Sequence, residues 1–229
     1  MSKHIIISGA NGNLGKHVVT KFLKENWQIT ALVQPGTYLE DFAGNSNLET
    51  AMVDLNDEKE TTSLINRISD KKSIDACAML AGGFAMESIA EATQEKVSAM
   101  INLNFFTAYH LAHAVYQQME KNNGGNLVFM GALPALDNNV AVHMPSYALS
   151  KAMLFKLAEI LNAAGKEKSI VSTVVVPSII DTATNRVAMP DADFSKWVAP
   201  QNIANVIFIA CSDTGKTLRE TVLKVYGGN

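Results

Sequence analysis

The sequence predicts an α/β protein, a doubly wound and mostly parallel sheet of about seven strands with helices on both faces. Apolar runs of strand length alternate with longer stretches of helical periodicity. The intervals between those runs leave room for one crossover helix each, as parallel neighbours require. Size agrees: 229 residues, 48% hydrophobic and 18% charged, can bury one generous core near the upper limit for a single domain. No repeat, low-complexity tract or Pro/Ser-rich linker marks a boundary, so residues 1–229 are read as one unit.

Taken in order, the apolar run His4 to Ser8 is the first strand, and the periodic stretch from Asn13 to Glu25 is the first helix. Strands follow at Gln28 to Val33 and Leu48 to Val53, then a helix near Asp57 to Ile68 and a strand at Ile74 to Leu80. A long helix is expected from Thr93 to Lys121. Asn122-Asn123-Gly124-Gly125 ends it, because glycine readily adopts the left-handed conformation that closes a helix. Strands at Asn126 to Met130 and Ser169 to Val175 flank a helix from Ser146 to Gly165, and a helix from Gln201 to Cys211 precedes the last strand, Val222 to Val225. The longest irregular region is Ile179 to Pro200. Phe194 and Trp197 within it are costly to leave solvated, which favours a packed lid over a loose excursion.

Several function classes are disfavoured. A net charge of −3 gives no overall drive toward nucleic acid or an anionic membrane. Cys77 and Cys211 sit in apolar contexts without the second cysteine or histidine of a zinc site, so no metal is expected and free thiols fit a reducing cytoplasm. Met1-Ser-Lys-His4 runs straight into a short apolar strand rather than a signal-peptide core, and no stretch approaches the ~20 apolar residues that span a bilayer. The expected location is cytoplasmic, with a small molecule as partner.

Gly9-Ala-Asn11-Gly12-Asn13-Leu14-Gly15 lies between the first strand and the first helix. Glycines there let the backbone turn tightly and approach a pyrophosphate, while free N–H groups at the helix start face the anion. The plainer alternative is a tight turn capped by Asn13; its place at the head of an alternating β/α pattern favours the dinucleotide. The second strand ends Leu32-Val33-Gln34-Pro35, without the carboxylate or arginine that would select the ribose 2′ substituent, so NAD and NADP both remain. Asp54 is a candidate for the adenine edge, or equally a helix N-cap.

Tyr147 and Lys151 are four apart, which on a helix puts both on one face. A phenol with pKa ~10 donates a proton near neutrality only when a nearby cation stabilises its anion, and Lys151 could supply that charge. An ordinary amphipathic helix also carries such pairs. Together with the glycine turn, however, the pair resembles the short-chain dehydrogenase/reductase family over nearly the whole chain. The resemblance implies a Rossmann-type sheet, a nicotinamide cofactor, Tyr147 as acid/base and Lys151 on the nicotinamide ribose. By the same resemblance, Ala81-Gly82-Gly83 is the turn after the fourth strand. Asn102 is the helix asparagine of the proton relay, and Pro177-Ser-Ile-Ile180-Asp-Thr182 is the loop contacting the carboxamide. Leu223 to Gly228 is similar to the family's closing strand.

One position departs from the family. Ala132 falls where the substrate-polarising serine belongs, and neither His143 nor Ser146 replaces it convincingly. The dihydropteridine reductase branch of the family is similar in carrying alanine there, in an element like Ala81-Gly82-Gly83-Phe84, and in a loop like Asp181 to Trp197. That likeness implies an acceptor that is already electron-poor, a quinonoid dihydropterin, which needs hydride and a proton but little carbonyl polarisation; the alternatives are a reductase of another activated carbonyl or quinone, or a protein that senses NAD(P) without turnover, which the Tyr147/Lys151 pair disfavours and Ala132 keeps open. The pocket is expected to be lined by Phe84, Ala132, Met144, Ile180, Arg186, Met189 and Trp197. Arg186 either grips an anionic substrate or anchors the lid in an ion pair. In this family the middle helix and the helix starting at Ser146 pair across a two-fold, so a homodimer or homotetramer is expected.

Overall fold

The computed structural model describes residues 2–122, 124–218 and 221–228. Seven parallel strands form one sheet in the order β3-β2-β1-β4-β5-β6-β7. They are β1 (His4–Ser8), β2 (Gln28–Val33), β3 (Leu48–Met52), β4 (Ala76–Met79), β5 (Gly125–Met130), β6 (Ile170–Pro177) and β7 (Val222–Val225). The β1 strand, between β2 and β4, is buried at every residue. That explains why it reads as a continuous apolar run instead of an alternation.

Alternate side chains of β1 feed two cores. Ile6 joins Leu64 and Ile65 of α2 (Glu58–Ser69), Leu111 and Val115 of the helix Thr107–Lys121, and Leu154 and Leu157 of the helix Pro145–Gly165. Ile5 and Ile7 join Val18, Val19 and Phe22 of α1 (Asn13–Lys24) and Ile203 and Ile207 of the helix Pro200–Cys211 on the other face. Each such fully buried aliphatic side chain contributes about 1.5–3 kcal/mol. Phe22 also meets Trp27 and Phe208 edge-on, with ring centres 5.1 and 5.3 Å apart.

Three regions differ from the sequence reading. The helix expected from Thr93 to Lys121 is interrupted: α3 (Gln94–Ile101) and α4 (Thr107–Lys121) are joined by one π-helical segment, Asn102–Phe106. Such a segment inserts a residue into the helical register and rotates the turns beyond it. The end of α4 is closed by Gly124 (φ 94°), whose N–H bonds Met119 O; Asn123 of that turn lies outside the described residues. A short α5 (Asn138–Ala141), capped by Asp137, precedes α6 (Pro145–Gly165). The region Ile179 to Pro200 is partly regular: α7 (Ala183–Ala188) and a 3-10 turn at Phe194–Lys196 lie between Ile180 and Val198, which pair in a parallel bridge. The α8 helix (Pro200–Cys211) then packs on α1. Among the described residues, no helix is long and apolar enough to cross a membrane.

Candidate active site

In a sheet of this order the chain leaves β1 toward one side and β4 toward the other, opening a crevice at the carboxyl ends of the strands. The cleft found there is lined by Gly9, Asn11 and Gly12 after β1, Leu32 and Val33 of β2 with Gln34 just past it, Val53 to Asn56 after β3, and Leu80 to Gly82 after β4, with Leu103 and Thr107 closing it.

The glycines are fixed by contact. Gly9 has φ 63°, and a Cβ on it would lie 2.8 Å from Ala81 N; one on Gly15 would lie 2.1 Å from Gly9 O. The turn can therefore press against the β4 loop only without side chains. Gly12 is the N-cap of α1 and gives it no side-chain cap, and no acidic residue sits in its first turn. The positive end of that helix is left for an anion, which fits a dinucleotide pyrophosphate. Asn13 donates from Nδ2 to Thr184 Oγ1 of α7 at 3.3 Å, so the loop after β6 reaches back to the glycine turn. Asp54 lines the cleft and accepts the Asn56 N–H at 2.9 Å; the cap of α2 is Asp57, not Asp54.

Past Gly82 the cleft meets a buried polar chain. Asn104 Oδ1 accepts the Gly83 N–H (2.9 Å), Asn104 Nδ2 donates to Ser150 Oγ (3.0 Å), and Ser150 Oγ donates to Tyr147 O (2.7 Å). Lys151 is buried and donates to Met130 O at 2.9 Å, two residues before Ala132, which is itself buried. A Cβ on Gly82 would fall 2.5 Å from Asn104 Oδ1 and 3.4 Å from Lys151 Nζ, so Gly82 lets the cleft open onto both. Burial pushes the Lys151 ammonium down to about 8 and the Tyr147 phenol up to about 12, so the phenol lies above its ordinary value and not below it as the sequence reading of Lys151 expects. Lys151 Nζ stands 5.9 Å from the centre of the Tyr147 ring, so the cation faces the phenol without bonding it. Phe84 meets that ring edge-on at 5.1 Å.

The structure brings together Gly9, Asn11, Gly12, Asp54, Ala81 and Gly82 in the cleft, and Gly83, Phe84, Tyr147 and Lys151 beside it. Leu14 packs on the core beneath the turn. Pro177 ends β6, Ile180 holds the bridge to Val198, Thr182 caps α7 through the Asn185 N–H, and Met144 precedes α6. Asn102 is not brought in: it is exposed and lines a separate groove with Asn56, Phe106 and His110. The π segment turns Asn104 inward in its stead, and the short spacing Asn102-Leu103-Asn104 is the only sequence signal for it. Arg186 is tied to Asp181 through two bonds, Nε to Oδ1 at 2.6 Å and Nη2 to Oδ2 at 2.8 Å, and lies over the Phe194 ring. The ion-pair alternative is thus the one seen, and Arg186 holds the Asp181 carboxyl below the usual carboxylate range. Met189 ends α7, and Trp197 is buried against Phe194, anchoring the segment. Ser150, Thr184 and Glu87 carry no signal in the sequence that marks them for this site.

Comparison with known proteins agrees with this geometry. A family model described as short chain dehydrogenase matches residues 3–193. A dihydropteridine reductase of Dictyostelium discoideum is 29% identical over 213 residues, covering 91% of this chain and 87% of that protein. A 7alpha-hydroxysteroid dehydrogenase of Escherichia coli (strain K12) is 25% identical over 243 residues, covering 99% and 93%. Among solved structures, ElxO with NADP bound superimposes with a TM-score of 0.89 at 21% identity, covering 100% of this chain and 98% of that one. An oxidoreductase of the same family from Burkholderia thailandensis gives 0.88 at 21% identity, covering 100% and 92%. With the crevice, its glycine turn and the tyrosine-lysine helix matched along most of its length, the chain belongs to the short-chain dehydrogenase family of NAD(P)-dependent oxidoreductases.

Proposed function

We propose that the chain is a reductase that uses NADH or NADPH to transfer hydride to an electron-poor, quinonoid dihydropterin-like acceptor, with Tyr147 giving the accompanying proton. The observation that carries this is the meeting of Gly82, Asn104 and Lys151 at the inner end of the cleft, one helical turn from Tyr147. Bound there, a nicotinamide cofactor supplies the hydride. Gly9, Asn11, Gly12, Asn13 and Gly15 hold its phosphates, Gln34 and Asp54 its adenosine, and Ala81 to Gly83 with Pro177, Ile180 and Thr182 its nicotinamide end. Tyr147 moves its proton from Oη. Lys151 supports the resulting phenolate and holds ribose, and Asn104, in place of Asn102, orders the relay that replaces the proton.

Ala132 supports the choice of acceptor. A plain ketone gains from a hydroxyl donor at that point, whereas an acceptor whose π-system is already electron-poor does not. The dihydropteridine reductase relative points the same way. We read residues 1–229 as one cofactor-binding unit whose segment 179–200 covers a pocket that includes Phe84, Ala132, Met144 and Met189. Exposed Leu149 and Ile160 on α6 suit pairing as a homodimer or homotetramer, and the buried free thiols of Cys77 and Cys211 suit the cytoplasm. The test is titration with NADH and NADPH followed by assay with quinonoid dihydropterin. Tyr147→Phe should lower the rate about 10²–10⁴-fold with cofactor affinity unchanged. No consumption with either cofactor would remove the acceptor assignment, and an undiminished rate in the variant would remove the donor assignment.

A further inference from the structure

We infer that Glu87 is a positioning residue, clamping the loop after β4 to the first turn of α6 and so setting where Tyr147 stands. Glu87 lies in a stretch without regular structure, yet it is only 9% exposed. A carboxylate is rarely buried without a partner, because it gives up its hydration when it leaves water. Its partner is the helix: Glu87 Oε1 accepts the Ser146 N–H at 2.9 Å, and the Glu87 N–H donates to His143 O at 3.2 Å. Main chain and side chain of one residue therefore grip both sides of the α6 start.

The helix needs this grip. Its N-cap, Met144, offers no side-chain bond, Pro145 at the first position has no N–H, and no acidic residue lies in the first turn. The N–H groups of a first turn have no partner within their own helix, and the helix dipole favours an anion there. Glu87 supplies both acceptor and charge from 59 residues away. Tyr147 immediately follows Ser146, and Phe84, three residues before Glu87, packs on the Tyr147 ring. In the same loop Gly83 is held by Asn104, whose other end reaches Ser150 and through it Tyr147 O. The loop that lines the cleft and the helix that carries the phenol are thus fastened at two points, and Glu87 is the charged one.

The inference rests on the reading of Tyr147 as proton donor, and the experiment separates the two. In the wild-type chain, the Ser146 amide should exchange with solvent hydrogen slowly for a first-turn position; free exchange would overturn the clamp, whatever the substrate proves to be. With quinonoid dihydropterin and NADH, Glu87→Ala should lower kcat about 10²-fold, the scale of a misplacement near 1 Å. Its NADH affinity should be unchanged, and its primary deuterium isotope effect with 4-deuterated NADH larger. Glu87→Gln keeps an acceptor oxygen and should restore most of the lost kcat and the slow Ser146 exchange. An unchanged kcat in Glu87→Ala, a loss confined to cofactor affinity, or equal impairment of both variants would each overturn the clamp. If Glu87→Ala does not fold, the Ser146 exchange of the wild type and of Glu87→Gln decides.

Discussion

At the amino-terminal edge of the sheet His4 is 3% exposed, and both its ring nitrogens are bonded, Nδ1 to Ser73 O at 3.0 Å and Nε2 to Thr30 Oγ1 at 2.9 Å. Ser73 O can only accept, so Nδ1 carries the proton and Nε2 takes the threonine hydroxyl, a neutral imidazole with both positions filled. At the carboxyl edge Lys151 is 6% exposed, and among the described residues its ammonium has one acceptor, Met130 O. Two buried bases, one in β1 and one on α6 at the opposite ends of the strands, have thus been treated in opposite ways. The histidine gives up its charge and gains partners, which stabilises the fold. The lysine keeps donors unspent and opens onto the cleft beside Gly82, which costs stability and leaves bonding capacity for a ligand.

The largest effect that would break this contrast is at the lysine. Lys151→Met should lower reductase activity about 10²–10⁴-fold, the range for loss of assisted proton transfer, yet leave the thermal midpoint equal or higher, since a buried charge is replaced by an apolar chain. A clear fall in midpoint would show that Lys151 is structural. In the wild type, burial holds the ammonium pKa at about 8, so the rate of reduction should decline as pH rises through that value.

The amino edge titrates in the other direction. Burial lowers the His4 pKa to about 4, whereas the unfolded chain takes up that proton near 6.5. The neutral imidazole's contribution is complete above about pH 6.5 and is lost as pH falls toward 4, about 3 kcal/mol in all. Urea unfolding of wild type and His4→Leu should show their stability gap closing over that window; a constant gap would contradict the assignment.

A third change tests the glycine turn at the carboxyl edge. Gly9→Ala faces a left-handed φ that costs about 1–2 kcal/mol for a residue with a side chain, besides the contact with Ala81 N. It should lower both the unfolding midpoint and cofactor affinity. The smallest effect is expected at the exposed Asp181–Arg186 pair: Asp181→Asn should leave the unfolding midpoint nearly unchanged, since water screens an exposed ion pair, and act mainly on substrate KM, read by steady-state kinetics.

The same two edges explain how much was legible in the sequence. β1 and β2 coincide with their apolar runs because strands buried on both faces leave an uninterrupted signal. Gly9 to Gly15, Tyr147 and Lys151 were visible because local spacing fixes their chemistry. Asn104 was not, since apolar periodicity runs through Thr93 to Lys121 whether or not a π segment rotates it, and Asn102 fits an unbroken helix equally well. Glu87 left no trace, because a loop carboxylate capping a helix far along the chain has neither period nor motif. The α5 and α7 helices, four and six residues long, are too short for periodicity to report.

We propose that a site without a hydroxyl at Ala132 suits an acceptor already primed for hydride. The most direct test is the ratio of kcat/KM for quinonoid dihydropterin to that for a plain ketone, measured on the wild-type protein with its better cofactor. The expected result is ready reduction of the dihydropterin and little of the ketone. Robust turnover of simple ketones or secondary alcohols by the wild type would contradict it.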